Sequence, residues 1–185
     1  MSLESAFESL QRMVTNLSEA VATLQIIVED MPKKERPFLI DQLDDQVTDL
    51  LGILEEIDAH VLEAVQSSKS PDQSEQAQQA LYKAHTSVNH FIAQYIGKIG
   101  THDVIAKLLE MGNERGREWR KWSLEVKTAL ERCWVPLKMV SDELLHCWHE
   151  LTQRMMRGLV FMQNTDIRQQ VTVRENQSKL AGTAA

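Results

Sequence analysis

Residues 3–31 read LESAFESLQRMVTNLSEAVATLQIIVEDM, and their apolar positions step 4–3–4–3 without a break: Leu3, Phe7, Leu10, Val14, Leu17, Val21, Leu24, Val28 and Met31. A stripe that recurs every 3.5 residues lies along one side of a helix and is buried against other helices. The same spacing runs from Ile40 through Leu43, Val47, Leu50, Leu54, Ile57 and Val61 to Ala64. No charged, His or Cys residue occupies a stripe position in either segment.

Working outward, the spacing predicts helices over about 3–31, 37–66, 71–97, 102–111 and 114–163. Pro32 stops the first, and Pro37 suits the first turn of the second, where a missing N–H costs nothing. The short connector 32–37 makes the first two helices antiparallel neighbours, each roughly 45 Å long. Ser70-Pro71-Asp72-Gln73 reads as the start of the third, with stripe residues Ala77, Leu81, Ala84, Val88, Phe91 and Tyr95. Thr101 and Gly112 bracket the short fourth segment. Asn113 is the expected cap of the last and longest helix, whose stripe is Trp119, Trp122, Val126, Leu130, Cys133, Leu137, Val140, Leu144, Cys147 and Leu151. Pro136 inside it predicts a kink near Arg132–Pro136. From Asn164 the chain turns polar, and 164–185 is read as a flexible tail behind a single domain, 1–163.

Val at one stripe position and Leu at the other favour a two-stranded coiled coil, but the flanks of the stripe favour a wider assembly. Ala6, Met13, Ala20 and Ile27 broaden it in the first helix, and Leu39, Leu51, Ile53 and Val65 in the second. A stripe three positions wide touches two neighbours. The expected fold is therefore all-α: an up-down four-helix bundle of long antiparallel, coiled-coil-like helices.

Composition narrows the function classes. Net charge is −7 over 185 residues, with seven Gly, four Pro and two Cys. Residues 1–66 carry −10, residues 113–185 carry +3. An acidic half of this kind disfavours nucleic acid and anionic membrane as main partners. The start of the chain lacks the basic then apolar pattern of a signal peptide, and no apolar run is long enough for a membrane span. Two cysteines then fit a reducing cytoplasm.

Candidate chemistry is sparse. Glu143, His146, His149 and Glu150 include a Glu-x-x-His step of the kind used by dimetal bundles. Such a site needs the motif twice, it occurs once, and with Leu144, Cys147 and Leu151 on the stripe both histidines point outward. Cys133 and Cys147 are two heptads apart, roughly 21 Å along one helix and beyond disulfide reach. Arg115, Arg117, Arg120, Lys121, Lys127, Arg132 and Lys138, with Trp119 and Trp122, form a basic-aromatic stretch, but Glu114, Glu118, Glu125 and Glu131 are interleaved at ion-pair spacing. No phosphate-binding loop or nucleophile elbow is present.

Two surfaces remain. Asp41, Asp44, Asp45, Asp49, Glu55, Glu56 and Asp58 give the second helix an acidic face suited to a basic partner or to offsetting basic helices nearby. Trp134, Trp148, Met155, Met156, Leu159, Phe161 and Met162, with Val160, make the end of the last helix apolar around its circumference. The expectation is a non-catalytic, cofactor-free adaptor or scaffold that docks a protein, or a second copy of itself, through that end. The alternatives are a metal- or ligand-binding bundle enzyme using Glu143, His146 and His149, and a nucleic-acid-binding subunit using 115–138.

Overall fold

The computed structural model describes the backbone of residues 2–32, 38–96 and 99–183. Side chains are described within these ranges as far as 159, apart from 38, 39, 96 and 99–103, together with Arg174 and Asn176. All secondary structure among the described residues is helical: α1 (Leu3–Glu29), α2 (Phe38–Ser67), a 3-10 turn (Pro71–Gln73), α3 (Ser74–Phe91) running into a π-helical turn (Ile92–Ile96), α4 (Ile99–Arg115) and α5 (Arg117–Thr183). No helix is long and apolar enough to cross a membrane among the described residues.

The stripes become the core. In α1 every stripe residue from Leu3 to Val28 is buried, and Met13, Ala20, Ile27 and Met31 pack half-buried beside them. In α5 every stripe residue from Trp119 to Leu151 is buried. Leu54 of α2 is only half-buried, whereas Gln46, one turn before Leu50, is buried. The buried polar side chains are Gln46, Ser67, Ser123 and Ser141, so no charged group lies in the interior among the described residues.

Bonds at opposite ends of each pair fix the directions. Arg154 of α5 meets Glu4 at the start of α1 at 2.6 Å, and Trp122 Nε1 donates to Ile27 O near its end at 2.8 Å. That indole shares Ile27 O, near the end of the helix, with the Asp30 backbone N–H, which donates to it at 3.2 Å. Gln78 Nε2 donates to Thr152 Oγ1, and Ser141 Oγ donates to Asn89 Oδ1, so α3 also runs against α5. Gln76 reaches Glu63, and Tyr95 donates to Asp49, so α2 runs against α3. α1 packs on α5 and α2, α2 on α3, and α3 on α5, which closes the circuit; α4 lies mainly on α5.

Several expectations change. The fourth helix is longer than 102–111, and Asn113 is inside it rather than capping the next. The junction is Gly116, whose φ of 108° is open to glycine and strained for other residues. Gly112, expected to end the segment, is buried: a Cβ there would stand 2.9 Å from the Arg120 Cα and from Ser123 Oγ. Its missing side chain is what lets α4 lie directly on α5. The backbone of 164–183, expected as a tail, continues helix α5, which includes Pro136. A lost hydrogen bond at one proline is small beside the long buried stripe on both sides of it. The third helix stops being α-helical at Phe91, and the π turn carries the chain to Ile96.

Candidate docking surface at the end of the last helix

The expected docking residues divide into two groups. Trp134, Trp148 and Met155 are half-buried and lean on the core. Trp134 faces Phe91 at 6.1 Å between ring centres, and Trp148 meets His149 edge-on at 5.3 Å. Met156 and Leu159 are open, with 61% and 60% of their surfaces exposed. Arg157 and Gly158 between them are exposed as well, so a complete helical turn has no covered face. The helix leaves the packed body here: Glu4, near the start of α1, is level with Arg154, and α3, which starts one turn before Gln78, begins about one turn past Thr152. Further along, Arg174 and Asn176 are exposed too. Phe161 and Met162, also expected in the surface, lie outside the described side chains.

Leu145 is not among the residues that the sequence pattern picks out. It is exposed, and the steps 145–149–152–156–159 repeat the 4–3 spacing on the outer side of α5. The signal was present as a second, weaker stripe beside the core stripe, with Val135 and Leu124 at its earlier positions. It is interrupted by His149 and Thr152, and so reads as surface.

The Glu143–His146–His149–Glu150 group is split by helix geometry. His146 has Glu143 Oε1 at 3.3 Å from Nδ1 and Glu150 Oε1 at 3.6 Å from Nε2, so both ring nitrogens face carboxylates. His149 is exposed and turned to Trp148. Among the described residues no three His, Cys, Asp or Glu side chains are grouped as metal ligands. Cys133 and Cys147 are free and buried. Burial pushes the Cys133 thiol up to about 11; burial, with Glu143 and Glu150 nearby, pushes Cys147 up to about 12. Nucleophilic thiols have the opposite shift.

In the basic-aromatic stretch, Trp119 and Trp122 are core residues, packed edge to face at 5.7 Å. Arg115 covers the Trp119 ring at 5.3 Å, and Lys127 pairs with Glu131 at 3.9 Å. The rings are thus unavailable for stacking on bases.

On the acidic face, Asp41, Asp45, Asp49, Glu55, Glu56 and Asp58 are exposed and Asp44 is half-buried. The π turn brings Tyr95 onto this face, where its hydroxyl donates to Asp49 and its ring lies 4.6 Å from Phe91. Burial first, then the Asp49 carboxylate, raise the Tyr95 hydroxyl to about 12. A cleft of about 330 Å³ lies beside it, between Asp49, Glu56, His90 and Gln94, over Phe91 and Ile53. Sequence reading assigned Tyr95 to the α3 stripe and did not foresee its pairing with α2.

A scan against protein-family models and searches of curated proteins and of solved structures gave no match to this chain.

Proposed function

We propose that this protein is a non-catalytic adaptor or scaffold, an up-down four-helix bundle of α1, α2, α3 and α5 that docks a protein partner through the projecting end of α5. The antiparallel bonds between the four helices support the architecture. The observation that carries the function is the fully exposed turn Met156–Leu159 on a helix that continues to Thr183. Exposed large apolar side chains on a helix with no neighbour are a usual contact for another helix. An interior without charged side chains among the described residues supports a structural rather than a catalytic role. The two free, buried cysteines support placing the protein in the reducing cytoplasm.

The test is the double substitution Met156→Glu with Leu159→Glu. Both positions are exposed, so the melting temperature stays within about 2 °C of wild type, in line with surface changes of at most ~0.5 kcal/mol. Partner recovery in crosslinking from cell extract falls at least about tenfold, the equivalent of 1.4 kcal/mol. Undiminished recovery would remove the basis of the proposal.

A further inference from the structure

Helix α2 (Phe38–Ser67) holds eight Asp and Glu residues and no Lys or Arg, so it has no cation of its own to offset them. The packing does not bring one from the basic last helix. α2 lies on α3, α1 and α4, while α5 lies on α1, α4 and α3, so the two stand at opposite corners of the circuit. Among the described residues no Lys or Arg pairs with Asp45, Asp49 or Glu56. Asp45, Asp49, Glu56 and Glu63 follow steps of four and seven along one side of the helix, a row about 27 Å long.

Gly52 opens this row to a ligand. A glycine inside a helix weakens it and is kept where something must approach the backbone closely. Nothing stands within 4 Å of the place a Cβ would take at Gly52, so packing does not require the glycine. What its missing side chain leaves open is the cleft of about 330 Å³ between α2 and α3. Ile53, Phe91 and Tyr95 give the cleft an apolar and aromatic lining, and Asp49 and Glu56 line it from α2. The π turn contributes Tyr95, held there by its bond to Asp49. A long cationic side chain matches this lining: its stem rests on Ile53 and the rings, and its head meets the carboxylates. An anion would be repelled, and an apolar group would cover two carboxylates without supplying a countercharge.

We infer that this cleft is a second docking site, which takes a Lys or Arg side chain from a basic segment of a partner protein. It is separate from the end of α5 and stands whether or not that end docks anything. The length of the acidic row selects a chain with several basic residues, because one small amine spans only part of it.

Amide NMR shifts of the full chain, titrated with decalysine near neutral pH and about 0.15 M salt, read the binding. Saturable shifts at Gly52, Ile53 and Gln94 are expected, with a Kd below about 100 µM. Gly52→Leu fills the cleft, leaves every charge in place and improves helix propensity, so it weakens binding at least about tenfold without lowering the melting temperature. Asp49→Asn with Glu56→Gln does the same, and the asparagine oxygen still accepts from Tyr95. Glu55→Gln with Asp58→Asn removes the same charge from another side of α2 and weakens binding less than about threefold. Absence of saturable shifts, binding that survives Gly52→Leu, or equal loss from the two charge-matched pairs would each overturn the inference. Spermidine that saturates the same shifts more tightly than decalysine would also overturn it, in favour of a free polyamine.

Discussion

Among the described residues, Gln46 is the one whose burial leaves a side-chain oxygen without a partner. It is 5% exposed, and its Oε1 has no hydrogen-bond partner among the described atoms. A buried amide oxygen left unsatisfied costs about 1–3 kcal/mol relative to its hydrated state. Gln46→Leu keeps a comparable volume and removes that cost, so urea unfolding is expected to show a gain of about 1–2 kcal/mol with an unchanged slope. A loss would mean that the oxygen is satisfied by water. Gln46 lies next to Val47 of the α2 stripe and not in it, and a 4–3 step assigns burial to the positions of the pattern alone. How far burial spreads to either side depends on how the neighbouring helices pack against α2. Leu54 shows the converse, a stripe leucine left half-buried.

At the scale of elements, the α4–α5 hairpin depends on an absence. The Gly112 position lies so close to α5 that a Cβ would be 2.9 Å from a backbone atom, Arg120 Cα, which cannot swing aside. Gly112→Val is therefore expected to cost about 2–3 kcal/mol and to loosen α4 before the rest of the body. Hydrogen exchange checks this, with protection lost over Ile99–Arg115 while α1 and α2 stay protected. Uniform loss across all helices would show that α4 is not a separable element. Nothing in the local pattern distinguished this glycine from one that ends a helix, since both are preceded by the same apolar spacing. The contact that explains it joins α4 to a residue of the next helix. Pro136 is similar. Its local effect is to weaken one turn, and the uninterrupted stripe from Val126 to Leu151 outweighs it.

For the whole molecule, three groups titrate late because folding removes them from water. Cys133 rises to about 11, and Cys147 and Tyr95 rise to about 12. Each holds its proton in the folded state at a pH where the unfolded chain has released it. Their contribution to stability is intact below about pH 9 and is lost as pH climbs through 9 to 12. Thermal unfolding is expected to be level between pH 7 and 8.5 and to fall steadily by pH 10.5. A melting temperature unchanged at pH 10.5 would show that these groups reach solvent in the native state. On the acid side, partial burial raises the Asp58 carboxyl, and Glu4 is lowered by its bond to Arg154, where both side chains are exposed and screened.

The helical class and most of the core residues are legible in the spacing alone, because a 3.5-residue repeat is a one-dimensional property that survives any arrangement of the helices. The sequence also marks the end of the last helix as apolar in excess of what burial needs. Which of those apolar residues are open follows from how the helices are packed. Trp134, Trp148 and Met155 are tucked against neighbours, whereas Met156 and Leu159 stand clear, because α1 begins level with Arg154 and α3 begins about one turn beyond Thr152, while α5 continues. Where one helix outruns its neighbours depends on register between segments far apart in the chain, and no local spacing records it. The pairing of Tyr95 with Asp49 and the seat of Gly112 on α5 were hidden for the same reason.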